Sequence, residues 1–143
     1  MNLEISNNNY YGRKKGPKLS QKKKDNLNKL LPLMQFNIDF KSDDNKFNSL
    51  FLEKHNETWL EIGYGMGENF LFQLKMNKFV NIIGCEPYIN GVANLITNIN
   101  KEDYHRVKLY TEDANILINT LPSDYLNKIF ILFPDPWPKK KTS

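Results

Sequence analysis

The sequence predicts an α/β fold in which parallel strands form one sheet with helices on both of its faces. Strand-like and helix-like segments alternate from residue 58 to residue 133, which is the order that builds β-α-β units. A glycine-rich turn joins the first of these strands to the first helix, where folds of this class bind ligands. The last segment contains five consecutive apolar residues, 129–133, typical of a strand buried on both faces.

Each element is predicted from its own apolar pattern and from the turn residues beside it. Strands are predicted at residues 58–62, 80–85, 106–110 and 128–133, which are short and rich in β-branched, aromatic and other apolar residues. Helices are predicted at residues 68–76, 88–99 and 113–121, where apolar residues recur every three or four positions. Pro87 precedes the second of these helices and Pro122 follows the third.

The segment ahead of the first strand shows a shorter helical pattern. Leu27, Leu30 and Leu31 have helical spacing and are followed by Pro32. A short helix ending near Leu31 is predicted, because proline disfavours helical backbone in the residue before it. Residues 41–56 are polar and mixed, and we predict connecting structure there.

The chain offers few residues after the fourth strand. Ten residues follow Phe133, of which three are lysine and three are proline, so a further strand and helix do not fit there. The sheet is therefore expected to be incomplete on its C-terminal side, with the fourth strand at an exposed edge. We divide the chain into a flexible basic arm, residues 1–24, and a partial α/β domain, residues 25–143.

The composition is that of a globular protein and excludes several classes. The chain has 143 residues, of which 40% are hydrophobic and 25% charged. Its single cysteine, Cys85, excludes a disulfide framework and a multi-cysteine zinc site, and we expect no metal. No run approaches the ~18 apolar residues of a membrane helix. The polar residues 1–10 do not resemble a signal peptide, so we expect a cytoplasmic protein with no membrane partner.

Positive charge is concentrated at the two ends of the chain. Residues 1–24 carry seven lysines or arginines and one acid, and residues 139–141 are all lysine. The intervening residues 25–138 carry ten basic and fifteen acidic side chains. This asymmetry favours a polyanionic partner held by the ends. A solvated tail in a lysine-rich sequence is an equally good explanation of charge alone.

The turn after the first strand contains Gly63, Gly65 and Gly67. Glycine permits a tight turn and a close approach of a ligand to the backbone, and the following helix offers free N–H groups. Dinucleotide-binding turns require a further glycine at the position that Glu68 occupies here. Because a carboxylate there would repel a pyrophosphate, the spacing favours a cofactor without phosphate.

Three acidic residues lie near the predicted strand ends. Glu86 follows the second strand, where a carboxylate can bind ribose hydroxyls; the alternative is a loop carboxylate in solvent. Asp113 opens the third helix and is predicted as its N-cap, a role compatible with binding an adenine amino group. Glu61 lies inside the first strand, so it either binds a cationic ligand end or forms a buried ion pair.

The stretch FPDPWPKK at residues 133–140 follows the fourth strand. Prolines on both sides of Asp135 stiffen the loop and would aim this carboxylate at the mouth of the sheet. Trp137 could stack on a base, and Lys139 and Lys140 could contact phosphates. The alternative is a proline-rich chain end with a surface tryptophan.

Five stretches together resemble the bacterial single-subunit tRNA (guanine-N7)-methyltransferases, a family of class I S-adenosylmethionine-dependent methyltransferases. They are YGRKKG at 11–16, LEIGYGMGE at 60–68, GCEP at 84–87, EDA at 112–114 and LFPDPWPKKK at 132–141. The second and fifth stretches are specific, and all five occur in the family's order.

The resemblance implies a Rossmann-like sheet whose cofactor-binding half spans residues 25–143, with S-adenosylmethionine as methyl donor. It implies a guanosine in the tRNA variable loop as the methylated group. By motif position, the cofactor site would comprise Glu61, Gly63, Gly65, Gly67, Glu86, Asp113 and Asp135. Asp135 would also be the catalytic residue, and Lys139 would contact tRNA.

The alternatives to a methyltransferase are an inactive binding fragment and an oxidoreductase. Family members continue through further strands that carry an aspartate and a Thr-x-x-Glu segment, so the alternative is an inactive fragment that binds RNA or cofactor. A nicotinamide-dependent oxidoreductase is disfavoured for two reasons. Glu68 occupies the position of a required glycine, and the histidines that could assist hydride transfer, His55 and His105, lie outside the motif loops.

Overall fold

The computed structural model describes residues 16–38 and 45–132. Within them, four parallel strands form one sheet in the order β3-β2-β1-β4. The strands are β1 (Glu57–Ile62), β2 (Val80–Cys85), β3 (Val107–Tyr110) and β4 (Lys128–Ile131). The predicted α/β fold with a parallel sheet is confirmed, and each predicted strand is present within two residues of its expected bounds.

Helices cover both faces of the sheet, as predicted. They are α1 (Gln21–Met34), α2 (Asn45–Asn48), α3 (Glu68–Met76), α4 (Ile89–Thr97) and α5 (Ala114–Thr120), with a 3-10 helix at Lys101–Arg106. One face packs against α1, α3 and α4, and its core includes Leu31, Trp59, Phe70, Ile82, Leu95 and Leu109. The other face packs against α2 and α5, and its core includes Phe47, Leu60, Ile83, Cys85, Tyr110 and Leu117.

The four strands differ in burial. Every residue of β2 is buried, as expected for a strand inside a parallel sheet. In the described sheet β4 pairs with β1 alone and forms an edge, which confirms its expected position. Ile129 and Ile131 of β4 are about half exposed, at 50% and 49%. The apolar run therefore predicted the strand correctly, but the described residues bury only part of it.

Helix α1 corrects two expectations about the N-terminal segment. The helix continues through Pro32 to Met34 and does not end at Leu31. Leu31 and Met34 are fully buried, and this burial outweighs the proline's unfavourable effect in the last turn. The helix begins at Gln21, after Ser20 as N-cap, so the last residues of the expected arm 1–24 belong to the folded body. Residues 1–15 lie outside the described residues.

The 3-10 helix before β3 ends in a buried arginine that the sequence analysis did not single out. The guanidinium of Arg106 donates to the carbonyl oxygens of Leu74, Asn77 and Val80 at 2.7–3.0 Å. It also forms an ion pair with Asp103 at 2.9 Å. Arg106 thus binds free carbonyl groups at the C-terminal end of α3 and the start of β2. These contacts anchor the far end of the helix that begins at the glycine turn.

Candidate functional site

The turn from β1 to α3, residues 63–67, has the backbone that its glycines predict. Gly63, Gly65 and Gly67 have φ values of 72°, 62° and 94°, which lie in the left-handed region that L side chains disfavour. Two backbone hydrogen bonds hold the turn: Gly63 N–H donates to Cys85 O at 2.8 Å, and Gly67 N–H donates to Tyr64 O at 2.9 Å. We call residues 63–67 the glycine loop.

Glu86, directly after β2, is buried against the glycine loop and is 8% exposed. Its Oε1 accepts a hydrogen bond from Gly65 N–H at 2.8 Å, and its Oε2 accepts one from Tyr88 N–H at 3.0 Å. The alternative of a loop carboxylate in solvent is therefore wrong. The sequence analysis missed this contact with the glycine loop, although each carboxylate oxygen keeps a further lone pair for a ligand.

Glu61 is the most unusual charged group of the described structure. Its side chain is 1% exposed, and neither oxygen has a donor in full hydrogen-bonding geometry within residues 16–38 and 45–132. No cationic side chain pairs with it in those residues, so the expected alternative of a buried ion pair is not found there. Burial raises the pKa of Glu61 from 4.5 to about 7, against a smaller lowering by a side-chain hydrogen-bonding interaction with Asn69. A buried carboxylate without a cationic partner among the described residues favours a ligand that supplies a cation.

Asp113 has the predicted N-cap position of α5. Its Oδ1 accepts a hydrogen bond from Asn115 N–H at 2.9 Å. It also lines a cavity of about 480 Å³ at the carboxyl ends of β1, β2 and β3. The other lining residues are Ile62, Gly63, Cys85, Pro87, Thr111, Glu112 and Ala114. Capping and ligand contact are therefore compatible roles for Asp113, as the sequence suggested.

The structure brings most of the predicted site residues to one end of the sheet. Gly63 and Asp113 line the cavity, while Glu86 bonds to Gly65 beside it. Glu61 lies in β1 opposite Gly84 of β2, two residues before the glycine loop. Parallel strands end at the same edge, which is why residues far apart in sequence meet there. Asp135 and Lys139 lie outside the described residues.

Helix α4 contributes a residue that the sequence analysis did not single out. Gly91 lies so close to the glycine loop that a Cβ built on it would be 1.9 Å from Gly65 O. The sequence carried a signal for this contact, because a glycine within a helical apolar pattern indicates a close approach of another segment.

The described residues contain neither a metal-binding cluster nor a membrane-spanning helix. Residues 16–38 and 45–132 contain no cluster of three or more histidine, cysteine or acidic side chains able to hold a metal ion. In the same part of the chain, no helix is both long and apolar enough to cross a bilayer.

The parallel sheet, with a glycine loop and acidic residues at its strand ends, is the arrangement expected of a methyltransferase domain. A family model described as "Putative methyltransferase" matches residues 55–143, and the chain belongs to this family. The match includes β1, the glycine loop, Glu86, Asp113 and the stretch around Asp135.

Curated relatives agree with the family resemblance drawn from the motifs, which is confirmed. A tRNA (guanine-N(7)-)-methyltransferase of Ruegeria sp. (strain TM1040) is 37% identical over 136 residues, which cover 93% of this chain and 53% of that protein. The protein of the same name from Bartonella quintana (strain Toulouse) is 37% identical over 134 residues, covering 92% and 57% respectively. That of Wolbachia pipientis wMel is 48% identical over 82 residues, covering 57% of this chain and 37% of its own.

This chain spans about half the length of the Ruegeria and Bartonella relatives. Among solved structures, one titled "Structure of an Antibiotic Related Methyltransferase" superimposes with a TM-score of 0.48 and 19% identity. That alignment covers 69% of this chain and 50% of the other.

Proposed function

We propose that this protein transfers a methyl group from S-adenosylmethionine to N7 of a guanosine in the variable loop of tRNA, in the cytoplasm. The observation that carries the proposal is the buried carboxylate of Glu61 beside the glycine loop, which pairs with no cationic side chain of the described residues. The family match and the names of the curated relatives support the same activity.

The residues present fit this cofactor, whose amino acid end carries an ammonium group and whose other end is an adenosine. Glu61 would bind the ammonium group, which supplies the cation that this buried carboxylate lacks. A Cβ built on Gly65 would have no atom within 4 Å, so the glycine loop leaves open space there. Glu86 would accept hydrogen bonds from the ribose hydroxyls, and Asp113 one from the adenine amino group.

The cofactor, when bound, would supply a methyl group on a sulfonium, which is already activated for displacement. Guanine N7 has a free lone pair and no proton to lose, so the chain needs no strong general base. Its residues would act by holding the guanine in line with the methyl group, and positioning of this kind contributes about 7–11 kcal/mol in favourable cases. Asp135 would accept hydrogen bonds from the guanine or stabilise the positive charge that methylation creates.

The proposed partner, tRNA, would be held by the basic ends of the chain. Arg13, Lys14 and Lys15 at one end and Lys139–141 at the other are the candidate phosphate contacts. Trp137 would stack on a base of the substrate.

Calorimetry with S-adenosylhomocysteine tests the cofactor site. We expect the 143-residue chain to bind this ligand, and Glu86→Ala to weaken binding about 10- to 150-fold, since loss of a charged acceptor costs about 1.5–3 kcal/mol. Glu102→Ala, at an exposed position of the 3-10 helix, is the matched control and should bind normally. Equal affinity in Glu86→Ala and the unmutated chain would show that the ribose assignment is wrong.

Transfer of tritiated methyl groups to unmodified tRNA tests the activity itself. Incorporation that requires Asp135 would support the proposal. If the chain bound S-adenosylhomocysteine but incorporated no methyl groups, the result would favour the alternative of an inactive fragment. That alternative is considered because this chain matches only about half the length of these relatives.

A further inference from the structure

Helix α4 presents three residues to the glycine loop at helical spacing, namely Gly91, Asn94 and Leu95. Each contacts a different part of the loop. Gly91 lies against Gly65 O, and Leu95 would be 2.9 Å from a Cβ built on Gly67. Between them, Asn94 Nδ2 donates a hydrogen bond to Met66 O at 2.8 Å. The glycine loop therefore packs against helix α4, and Asn94 donates a side-chain hydrogen bond from the helix to the loop.

The bond from Asn94 acts on one particular peptide group. Met66 O and Gly67 N–H belong to the same planar peptide unit, and Gly67 N–H donates to Tyr64 O at 2.9 Å. The unit is thus held at its oxygen by Asn94 and at its nitrogen by Tyr64. The unit turns about the Cα bonds of Met66 and Gly67, and Gly67 rotates with little steric restriction, so an unanchored peptide here would turn over more readily.

A second contact orients the Asn94 side chain. The ammonium group of Lys23, on α1, lies 3.4 Å from Asn94 Oδ1. An ammonium group only donates hydrogen bonds and a carbonyl oxygen only accepts them. The Asn94 amide therefore satisfies both neighbours in one orientation, with its oxygen toward Lys23 and its nitrogen toward Met66.

We propose that Asn94 is a positioning residue for the cofactor: through the 66–67 peptide it holds the glycine loop in the shape that binds S-adenosylmethionine. This inference rests on the proposed function and adds to it a residue outside the family motifs. Asn94 acts through the loop backbone, so its removal is expected to weaken cofactor affinity without removing a ligand contact.

The test compares Asn94→Asp with Asn98→Asp in the full 143-residue chain. Aspartate has the shape of asparagine and still accepts from Lys23, but it cannot donate to Met66 O. Asn98, the C-cap residue that directly follows α4, is the matched control, because its side-chain amide donates to the backbone oxygen of Asn94 at 2.8 Å and not to the loop. Calorimetry should show about 2- to 10-fold weaker S-adenosylhomocysteine binding for Asn94→Asp, the effect of one lost hydrogen bond, and little change for Asn98→Asp. A residue that only stabilised the helix would lower the melting temperature in both variants and leave affinity unchanged.

Amide hydrogen exchange of the ligand-free chain gives an independent measure. Exchange at Gly67 should be faster in Asn94→Asp than in the unmutated chain and unchanged in Asn98→Asp. Normal affinity for the ligand in Asn94→Asp, or unchanged exchange at Gly67, would overturn the positioning role and leave the proposed function standing. If the unmutated chain bound no S-adenosylhomocysteine, the proposed cofactor site would fail, and exchange at Gly67 would still decide whether Asn94 holds the loop.

Discussion

Glu61 shows how one residue can be costly to the fold and useful to the site. Its carboxylate is buried within β1 and forms no ion pair with the described residues, a situation that stable folds avoid without compensation. The raised pKa shows that the folded protein disfavours the charged form of this group. A cationic ligand would stabilise the buried, charged carboxylate. Part of the ligand's binding free energy would therefore come from the burial of Glu61.

The stability of the ligand-free chain should therefore depend on pH through Glu61. The folded state holds the proton more tightly than the unfolded chain, whose carboxyl titrates near 4.5, while the folded pKa is about 7. Below the lower pKa, Glu61 is protonated in both states and does not destabilise the fold. The destabilisation grows as the pH rises and is complete above the higher pKa. We expect the free energy of unfolding to fall by up to roughly 3 kcal/mol across this interval from Glu61 alone.

Urea unfolding of Glu61→Gln at a series of pH values from 4 to 8 measures this effect. Glutamine does not ionise, so the variant should lose less stability over the interval and should be the more stable protein at pH 8. Glu57→Gln, at an exposed position of the same strand, is the control and should retain the slope of the unmutated chain. If Glu61→Gln and the unmutated chain showed the same pH dependence, the slope would belong to another group.

At the scale of elements, the contacts of Arg106 explain how α3 keeps its position under the glycine loop. The helix has nine residues, too short to be stable alone, so tertiary contacts must hold it. Its buried face, through Phe70 and Leu74, packs on the sheet, and Arg106 bonds to the carbonyl groups at its far end. The anchor at one end therefore limits movement of the loop at the other.

Replacement of Arg106 should consequently destabilise the whole domain. Arg106→Met leaves two buried carbonyl groups, one partly buried carbonyl group and the Asp103 carboxylate without this partner, and we expect a loss of about 3–5 kcal/mol. Arg106→Lys keeps the charge without the planar fork and should lose less. Chemical denaturation measures both, with Lys101→Met at the exposed start of the 3-10 helix as control. A loss under 1 kcal/mol in Arg106→Met would contradict the anchoring role.

At the scale of the whole molecule, the outer part of β4 is the exposed apolar region of the described sheet. Ile129, Ile131 and Leu132 are 50%, 49% and 44% exposed, and β4 has a strand partner on one side among the described residues. An apolar strand edge is a template for pairing with another chain. We therefore expect the 143-residue chain to self-associate through β4.

Sedimentation velocity over a range of concentrations tests this expectation. Ile129→Lys combined with Ile131→Lys places charge on the exposed face and should shift the chain toward monomer. Leu52→Lys alters an isolated side chain that is 81% exposed and lies outside the sheet, and it should not change the association. A monomeric unmutated chain at high concentration would show that this face does not drive association.

Binding of tRNA should depend on the charge distribution of the whole chain. Each phosphate contact on a single strand contributes roughly −0.7 to the slope of log affinity against log salt concentration. Replacing Arg13, Lys14 and Lys15 with alanine should flatten the slope by up to about 2, since at most three contacts are lost. Lys75→Ala with Lys78→Ala, on and beyond α3, controls for general loss of charge. An unchanged slope in the triple variant would identify the N-terminal arm as a solvated tail.

The sequence alone was sufficient for the parts of this protein that depend on neighbouring residues. The period of apolar residues identified four strands and the three helices between them, because burial of one face imposes that period locally. The spacing of Gly63, Gly65 and Gly67 predicted the turn, since backbone conformation at a glycine is a local property. The motifs around these elements also identified the family correctly.

Tertiary structure decided the features that join residues distant in the chain. Helix α1 continues past Pro32 because buried contacts outweigh a local preference. Glu86 bonds to Gly65 across 21 positions, and Lys23 reaches Asn94 across 71. The role of Arg106 was not recognised because three of its partners are backbone carbonyl groups, which cannot be identified from residue types. Such contacts depend on which strand ends and helix faces meet, and folding of the whole sheet sets that arrangement.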